Sequence, residues 1–503
     1  MPGRVFFVGA GPGDPSLITC RGRECLESAE AVLYDYLAAE DLLDWTPPGC
    51  ERICLGAHGS TRIWPLSEIT QKLVELTAAG KQVVRLQGGD PTIFGRLGEE
   101  LSVLIEAGIA FEIVPGVTAA LGAAAYADVA LTHRQWASAV ALVTGQESRD
   151  KTQEPLDYRA LAKFPGTLAI YMGVTSVDRW SQALIEGGKS AETPVLVIRR
   201  STWPDQQTHQ CHLGQLADSV KQWNLRPPVV FLIGEASRVA EGGGWFQGRP
   251  LFGQTTLVTR PRHQAESLQS ALRASGSQAL IHPVIEIGDP TDWESVDSAI
   301  DRLSSYDWLV FSSSNGVKFF LRRIWEKGLD LRAIGNAKIA AIGSSTLLEL
   351  RQHQLRVNLI PGEFRAEALA EMLIEQATGK RFLLVRASRG RDLLADELRQ
   401  AGKDVDQAVV YESRDVTEVD PDILEAMSRG EIEWVTVTSS AIANAIVALF
   451  GSALKQTKLA SISPVTSHTL RSLGFEPAAE ATTFTMQGLV AAMVDVQTGN
   501  SSS

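Results

Sequence analysis

Three short turns carry the residues that could do chemistry in the first half of this 503-residue chain. They are "VFFVGAGPGDP" (5–15), "RLQGGDPTIFGR" (85–96) and "IVPGVTAALGAAAYADVALTHR" (113–134). Each follows an apolar run and breaks into glycine and proline, so each reads as a strand end entering a tight turn. The first invites comparison with the dinucleotide fingerprint G-x-G-x-x-G, which needs a backbone donor cradle for phosphates and an acid about 20 residues on. Here the spacing is G-x-G-x-G-D-P. Pro12 removes a donor and Pro15 restricts Asp14 to extended backbone. Asp35 stands where a ribose acid would, but the loop suits a phosphate poorly, and NAD is a weak fit.

A different chemistry appears in the second half. "VFSSSNG", "AIGSSTLLEL", "VTSSAIA" and "ISPVTSHTL" each run from an apolar stretch into Ser/Thr-rich helix starts. Ser and Thr are good N-caps, and helix N-termini attract anions. Ordinary capping explains some of these residues. Four such ends could also grip a ligand with many carboxylates, which marks Ser313, Asn315, Ser345, Ser439, Ser440 and Thr466 as substrate-binding candidates.

The elements that must position these residues alternate throughout. Strand-length runs such as "QVVRLQGGD", "TLAIYMG" and "PVLVIRR" are separated by helical patterns such as "LSEITQKLVELTAAGK", closed by Gly80. This is α/β architecture with mainly parallel strands. The Gly-rich segment 241–254 is the best boundary: residues 1–245 form a first domain, 246–254 a linker, 255–495 a second domain, and 496–503 a disordered tail. The second domain repeats itself. Trp308 and Trp434 stand 126 residues apart, and so do Arg260 and Arg386. Two similar α/β lobes are the economical reading.

Composition narrows the classes. Net charge is −12, which argues against a broad nucleic-acid or anionic-membrane footprint. Five cysteines with no CxxC give neither a disulfide framework nor a zinc site, and no metal is expected. No signal peptide and no apolar run of about 20 residues is present, so a soluble cytoplasmic protein is expected.

The six motifs "VGAGPGDP", "YDYL", "RLQGGDPTIFGR", "VPGVTAALGAAAYADVALTHR", "LVTGQ" and "YMGV", in this order, resemble the uroporphyrinogen-III C-methyltransferases of the tetrapyrrole methylase family. The resemblance implies two α/β lobes with S-adenosylmethionine in the cleft between them, released as S-adenosylhomocysteine. It implies that Pro12, Gly88, Gly89, Asp90, Ile93, Thr118, Ala119 and Met172 line the cofactor site. Asp35 would be the general base near the tetrapyrrole, and Arg96 would face its carboxylates. Two departures stand out. Ala57 and His58 replace the family's usual Lys-Arg, so that either the lysine is dispensable, or His58 or Arg62 substitutes for it, or the activity is weakened, and the usual arginine after Tyr-Asp is Tyr36.

Residues 255 to about 495 resemble uroporphyrinogen-III synthase through "TRP" (259–261), "VFSSSNGV", "AIGSST", "LLVRASRGRDLLADELRQAG", "VVYES" and "VTSSAI". That family closes hydroxymethylbilane to uroporphyrinogen III with inversion of the last ring and needs no cofactor. The matching tyrosine is Tyr411, assisting departure of the hydroxyl or holding a lobe junction, and Arg260 joins the substrate-binding set. The product of this half is the substrate of the other. A bifunctional enzyme follows, methylating uroporphyrinogen III twice to precorrin-2 on the way to sirohaem or cobalamin, with a homodimer implied through the methyltransferase half. The alternatives are a methylase for another precorrin and a weakened methylase that only binds tetrapyrrole.

Overall fold

The structure, a computed structural model, describes residues 3–56, 64–147, 155–238, 244–362, 366–390 and 392–499. The chain divides into two compact units. One runs to Thr255 and includes Leu272–Gln278; the other takes Thr256–Ala271 and the chain from Ala279 onward.

In the first unit, strands β1 (Arg4–Gly9), β2 (Ala31–Tyr34), β3 (Glu51–Cys54), β4 (Gln82–Gln87) and β5 (Ala110–Val114) form a parallel sheet ordered β3-β2-β4-β1-β5. The central strands are largely apolar because both faces are covered, β1 through Val5–Val8 and β4 through Val83, Val84 and Leu86, with Arg85 the buried exception between them. Helix Leu66–Ala78 buries Ile69, Leu73 and Leu76 on one stripe, the helical period expected of a sheet-packing helix.

A second sheet holds β6 (Val140–Thr144), β7 (Thr167–Tyr171), β8 (Pro194–Arg199), β9 (Gln207–His212) and β10 (Val229–Ile233), ordered β6-β7-β10-β8-β9. Only β6 and β7 pair in parallel; β10 is antiparallel to both neighbours and β8 to β9. The expectation of mainly parallel strands fails here because residues 200–206 are too few for a crossover, so β8 must return beside itself as β9. The segment expected as a linker is not a free tether at its start. Phe246 is buried and packs edge-on against Tyr126, and Trp245 donates its indole N–H to Ala125 O.

The second unit contains β11 (Thr255–Val258), β12 (Gln278–Ile281), β13 (Ile285–Gly288), β14 (Trp308–Phe311), β15 (Lys338–Ala341), β16 (Arg381–Ala387), β17 (Asp404–Asp415), β18 (Trp434–Val437), β19 (Lys458–Ser461) and β20 (Ala479–Glu480). The sheets are β12-β11-β18-β19-β20 and β13-β17-β16-β14-β15. The repeated sequences land on equivalent strands: β11 matches β16, and β18 matches β14. The lobes are not tandem halves, however. Each lobe joins the first strand pair of one repeat to the second pair of the other. Trp308 and Trp434 are both buried, so each lobe centres on a tryptophan at the same strand position. At the C-terminus, helix Met486–Thr498 extends into the stretch expected to be a disordered tail, and its start is capped by the Thr485 side chain.

Candidate functional site

The three glycine turns of the first unit converge. Gly11 and Gly89 exchange backbone hydrogen bonds at 3.2 and 2.8 Å. A Cβ on Gly116 would lie 2.2 Å from Gly89 O, and one on Gly9 would lie 2.6 Å from Gly116 Cα. These glycines exist because three backbones meet where no side chain fits. Asp90 staples the assembly. One carboxylate oxygen accepts from Thr92 N (2.7 Å) and Thr92 Oγ1, and the other from Gly116 N (3.0 Å). It therefore spends its acceptors on the loops themselves.

The second sheet closes the other side. Tyr171, at the end of β7, receives the N–H of Ala120 at its hydroxyl and pairs with Thr118 Oγ1, both at 2.8 Å. Burial pushes the Tyr171 phenol up, so it stays a neutral hydrogen-bonding group. Trp203 donates to Pro12 O at 3.1 Å, and Asp14 N donates to Thr202 Oγ1 at 2.9 Å. Helix Ala119–Tyr126 can lie against Pro12 because position 122 is glycine: a Cβ there would sit 2.5 Å from Pro12 Cγ.

Between these elements lies a cavity of about 610 Å³. Pro12, Gly88, Gly89, Asp90, Ile93, Thr118, Ala119 and Met172 all line it. Phe94 (φ +56°), Met172 (φ +51°) and Arg200 (φ +48°) reach its wall from left-handed backbone, a conformation that costs on the order of 1–3 kcal/mol for a non-glycine residue and clusters at ligand sites. The cavity wall is mainly apolar, with backbone groups of the glycine turns exposed to it, which fits a folded nucleoside sulfonium better than a pyrophosphate.

Asp35 and Arg96 lie outside this wall. Asp35 follows β2, and its Oδ1 pairs with Arg85 Nη1 at 2.8 Å; Tyr36 and Leu37, its neighbours, line the cavity. Arg85 also faces Glu100 at 3.3 Å, and burial raises the Glu100 carboxyl above the usual range against the pull of Arg85. Arg96 is exposed and pairs in bidentate fashion with Glu99 at 2.9 and 2.6 Å. Such a surface pair is worth about 0–1 kcal/mol, so Arg96 can exchange it for another carboxylate. His58 and Arg62 lie outside the described residues, as does Ala57. Sequence reasoning missed Tyr171, Arg200 and Trp203. Tyr171 stood beside Met172 in "YMGV", whereas "RRSTW" carries no pattern that points to a site.

In the second unit the four helix starts follow β14, β15, β18 and β19, at the carboxyl ends of parallel strands. Ser313 caps helix Ser314–Glu326 through Gly316 N (3.0 Å), and Ser439 caps helix Ser440–Phe450 through Ile442 N (3.2 Å). At the fourth, Ser463 is the cap, and Thr466 is a buried residue beside it. Ser345 is exposed on a helix whose cap position is Gly343, without a side-chain cap. Ser440 accepts from Thr469 at 2.8 Å. Tyr411 is buried on β17 with its hydroxyl 3.0 Å from Ser313 Oγ. Arg260 is largely buried and bonds Gln264 Oε1 (3.3 Å), whose Nε2 donates to Asn315 Oδ1 (2.9 Å). Asn315, Arg260, Ser313 and Tyr411 thus form two small bonded groups, while the serines of the other lobe are joined to neither.

Comparison with known proteins matches each half of the chain to a family. Residues 4–217 match the family of tetrapyrrole (corrin/porphyrin) methylases, and residues 266–491 match uroporphyrinogen-III synthase. The chain belongs to both families, as a fusion. It is 32% identical over 447 residues to the porphyrin biosynthesis protein HemD of Ruminiclostridium josui, spanning 89% of this chain and 88% of that one. It is 34% identical over 363 residues to the uroporphyrinogen-III C-methyltransferase of Bacillus subtilis (71% of this chain, 73% of that one). The first half is 41% identical to the S-adenosyl-L-methionine-dependent uroporphyrinogen III methyltransferase of Methanosarcina barkeri, over 46% of this chain and 91% of that one. A crystal structure of uroporphyrin-III C-methyltransferase from Thermus thermophilus with S-adenosyl homocysteine aligns at 35% identity and a TM-score of 0.40, over 47% of this chain and 93% of that one. The fused chain is an enzyme with a methyltransferase half and a uroporphyrinogen-III synthase half. No helix among the described residues is long and apolar enough to cross a membrane.

Proposed function

We propose that the second half closes hydroxymethylbilane to uroporphyrinogen III and that the first half methylates this product twice, giving precorrin-2 for sirohaem or cobalamin synthesis. The observation that carries this reading is the convergence of eight motif residues, from four separated segments, on one 610 Å³ cavity. S-adenosylmethionine, when bound there, supplies an electrophilic methyl on a sulfonium and needs no metal. Pro12, Thr118, Ala119 and the Gly88–Gly89 backbone would hold it, and Asp90 would hold the turns that hold it. Alignment of donor and pyrrole carbon supplies much of the rate of such an in-line transfer. Asp35, fixed by Arg85, is the candidate to take the proton that the pyrrole loses. Arg96 can leave Glu99 for a substrate carboxylate. In the synthase half, Arg260, Asn315 and the helix starts offer donors to a polycarboxylate.

Purified protein given hydroxymethylbilane with and without S-adenosylmethionine tests both halves. Cyclisation to the type III isomer alone, followed by a two-methyl mass increase when donor is added, is the expected result. Cyclisation with no methylation would leave a tetrapyrrole-binding first half, and methylation only of another precorrin would favour the related methylase that Tyr36 and Ala57 keep in view. Pairing of two copies through the methyltransferase half belongs to the same reading, and sedimentation of the full chain checks it.

A further inference from the structure

The donor cavity has a smaller neighbour of about 170 Å³, and the two share Tyr36, Leu37, Arg200, Trp203 and Pro228. The smaller one touches none of the glycine turns. Its remaining wall comes from Tyr34, Ala38, Glu40 and Cys54, the ends of β2 and β3 and the turn that carries Asp35. It therefore lies on the side of the candidate base.

Arg200 is the basic side chain that lines both cavities, and among the described residues no other basic side chain lines either. Its setting is built. The backbone is left-handed at Arg200 (φ +48°) and again at Thr202 (φ +70°). This costly conformation is held by Arg200 N to Pro228 O (3.1 Å), Thr202 N to Gln206 Oε1 (2.8 Å) and Gln206 Nε2 to Tyr126 O (2.9 Å). The guanidinium lies over the Trp203 ring at 4.4 Å, and its Nε donates to Asp205 at 2.8 Å. Neither terminal nitrogen donates a hydrogen bond to the protein among the described residues. Asp205 is shared with Arg199 at 3.7 Å, so one carboxylate faces two guanidiniums. The acids on the walls are Asp90, whose oxygens accept from Thr92 and Gly116, Glu147, which accepts from Leu156 N, and Glu40, which is exposed. An oriented guanidinium with both terminal nitrogens unspent is the donor geometry that binds a carboxylate side-on.

We propose that Arg200 grips one carboxylate arm of the tetrapyrrole acceptor and that the 170 Å³ cavity receives that arm. The cavity has room for a short acid side chain and not for the macrocycle, which would fix the ring against the donor cavity. The inference rests on the methyltransferase reading above.

The test uses full-length protein with Arg200→Asn, which removes the charge while tolerating left-handed backbone, and Arg200→Lys, which keeps the charge. Binding of uroporphyrin III, the oxidised fluorescent ring, is measured by quenching and S-adenosylhomocysteine by calorimetry; KM and kcat are measured with uroporphyrinogen III. Arg200→Asn is expected to weaken ring binding and raise KM by about tenfold to a hundredfold, with the S-adenosylhomocysteine affinity and kcat within about twofold. Arg200→Lys is expected to recover part of the loss. Weaker S-adenosylhomocysteine binding with unchanged ring binding would assign Arg200 to the donor's own carboxylate and overturn the proposal. Unchanged binding of both ligands, or loss of both in Arg200→Asn and Arg200→Lys alike, would make it a structural residue. If wild-type protein transfers no methyl to uroporphyrinogen III, the functional reading fails, and the two binding measurements still decide the role of Arg200.

Discussion

Arg85 Nη1 holds Asp35 Oδ1 at 2.8 Å from the floor of the first sheet, and this places the candidate base one residue from the cavity wall at Tyr36. The arginine is almost wholly buried while the aspartate side chain is 31% exposed, so the pair points its carboxylate outward from a fixed root. Asp35→Asn keeps the shape and removes the base. Methyl transfer is expected to fall by about 100-fold or more, with S-adenosylhomocysteine affinity unchanged. Normal turnover in single-turnover methylation assays would remove Asp35 from the chemistry.

The Asp90 staple gives a second expectation. Its carboxylate bridges two turns, so Asp90→Ala strands the N–H of Gly116 and of Thr92, each costing about 1–3 kcal/mol if it stays buried. S-adenosylhomocysteine affinity should drop by about tenfold or more, measured by calorimetry. Gly116→Ala should do at least as much without touching any charge, because its Cβ would overlap Gly89 O at 2.2 Å.

Glu100 sets a pH dependence. Burial raises its folded-state carboxyl above the ordinary glutamate value of 4.5. A raised acid binds its proton more tightly in the folded state, so its contribution favours folding below the unfolded value and is lost as pH rises through the folded value. Removing the titration with Glu100→Gln should flatten the fall in melting temperature over the range just above pH 4.5. Against that, Arg85 loses one of its two carboxylates, and a net destabilisation at neutral pH of up to about 3–5 kcal/mol is expected. Calorimetric scans of both proteins from pH 4.5 to 7 check both signs; parallel curves would mean that Glu100 does not titrate there.

How far these features could be read from sequence differs by physical origin. The cofactor turns were legible because their demands are local: a glycine where two backbones touch and a proline where no donor is wanted leave marks in the chain. Arg200 and Trp203 left none, since only the fold brings them to the cavity that Pro12 lines, Trp203 bonding Pro12 O from 191 residues away. The strand repeats Trp308/Trp434 and Arg260/Arg386 were visible, but not the exchange of strand pairs between lobes, because order along a chain does not say which sheet a strand joins. The Ser/Thr helix starts pointed to anions, and Ser313 and Ser439 prove to be working caps.

Tyr411 is tied to one of these caps. Its hydroxyl already has a partner in Ser313, the ring is buried, and Phe319 packs against it at 5.6 Å. Ser313 in turn spends an acceptor on Gly316 N. A hydroxyl so engaged serves the junction between β17 and helix Ser314–Glu326 more than it serves a departing group. Tyr411→Phe is expected to retain hydroxymethylbilane cyclisation within about tenfold, the scale of one neutral hydrogen bond. Ser313→Ala should cost about 1 kcal/mol of stability through the lost cap. Cyclisation rates and the ratio of type III to type I isomer give the readout: a loss of 100-fold or more in Tyr411→Phe with an unchanged melting temperature would return the tyrosine to the reaction itself.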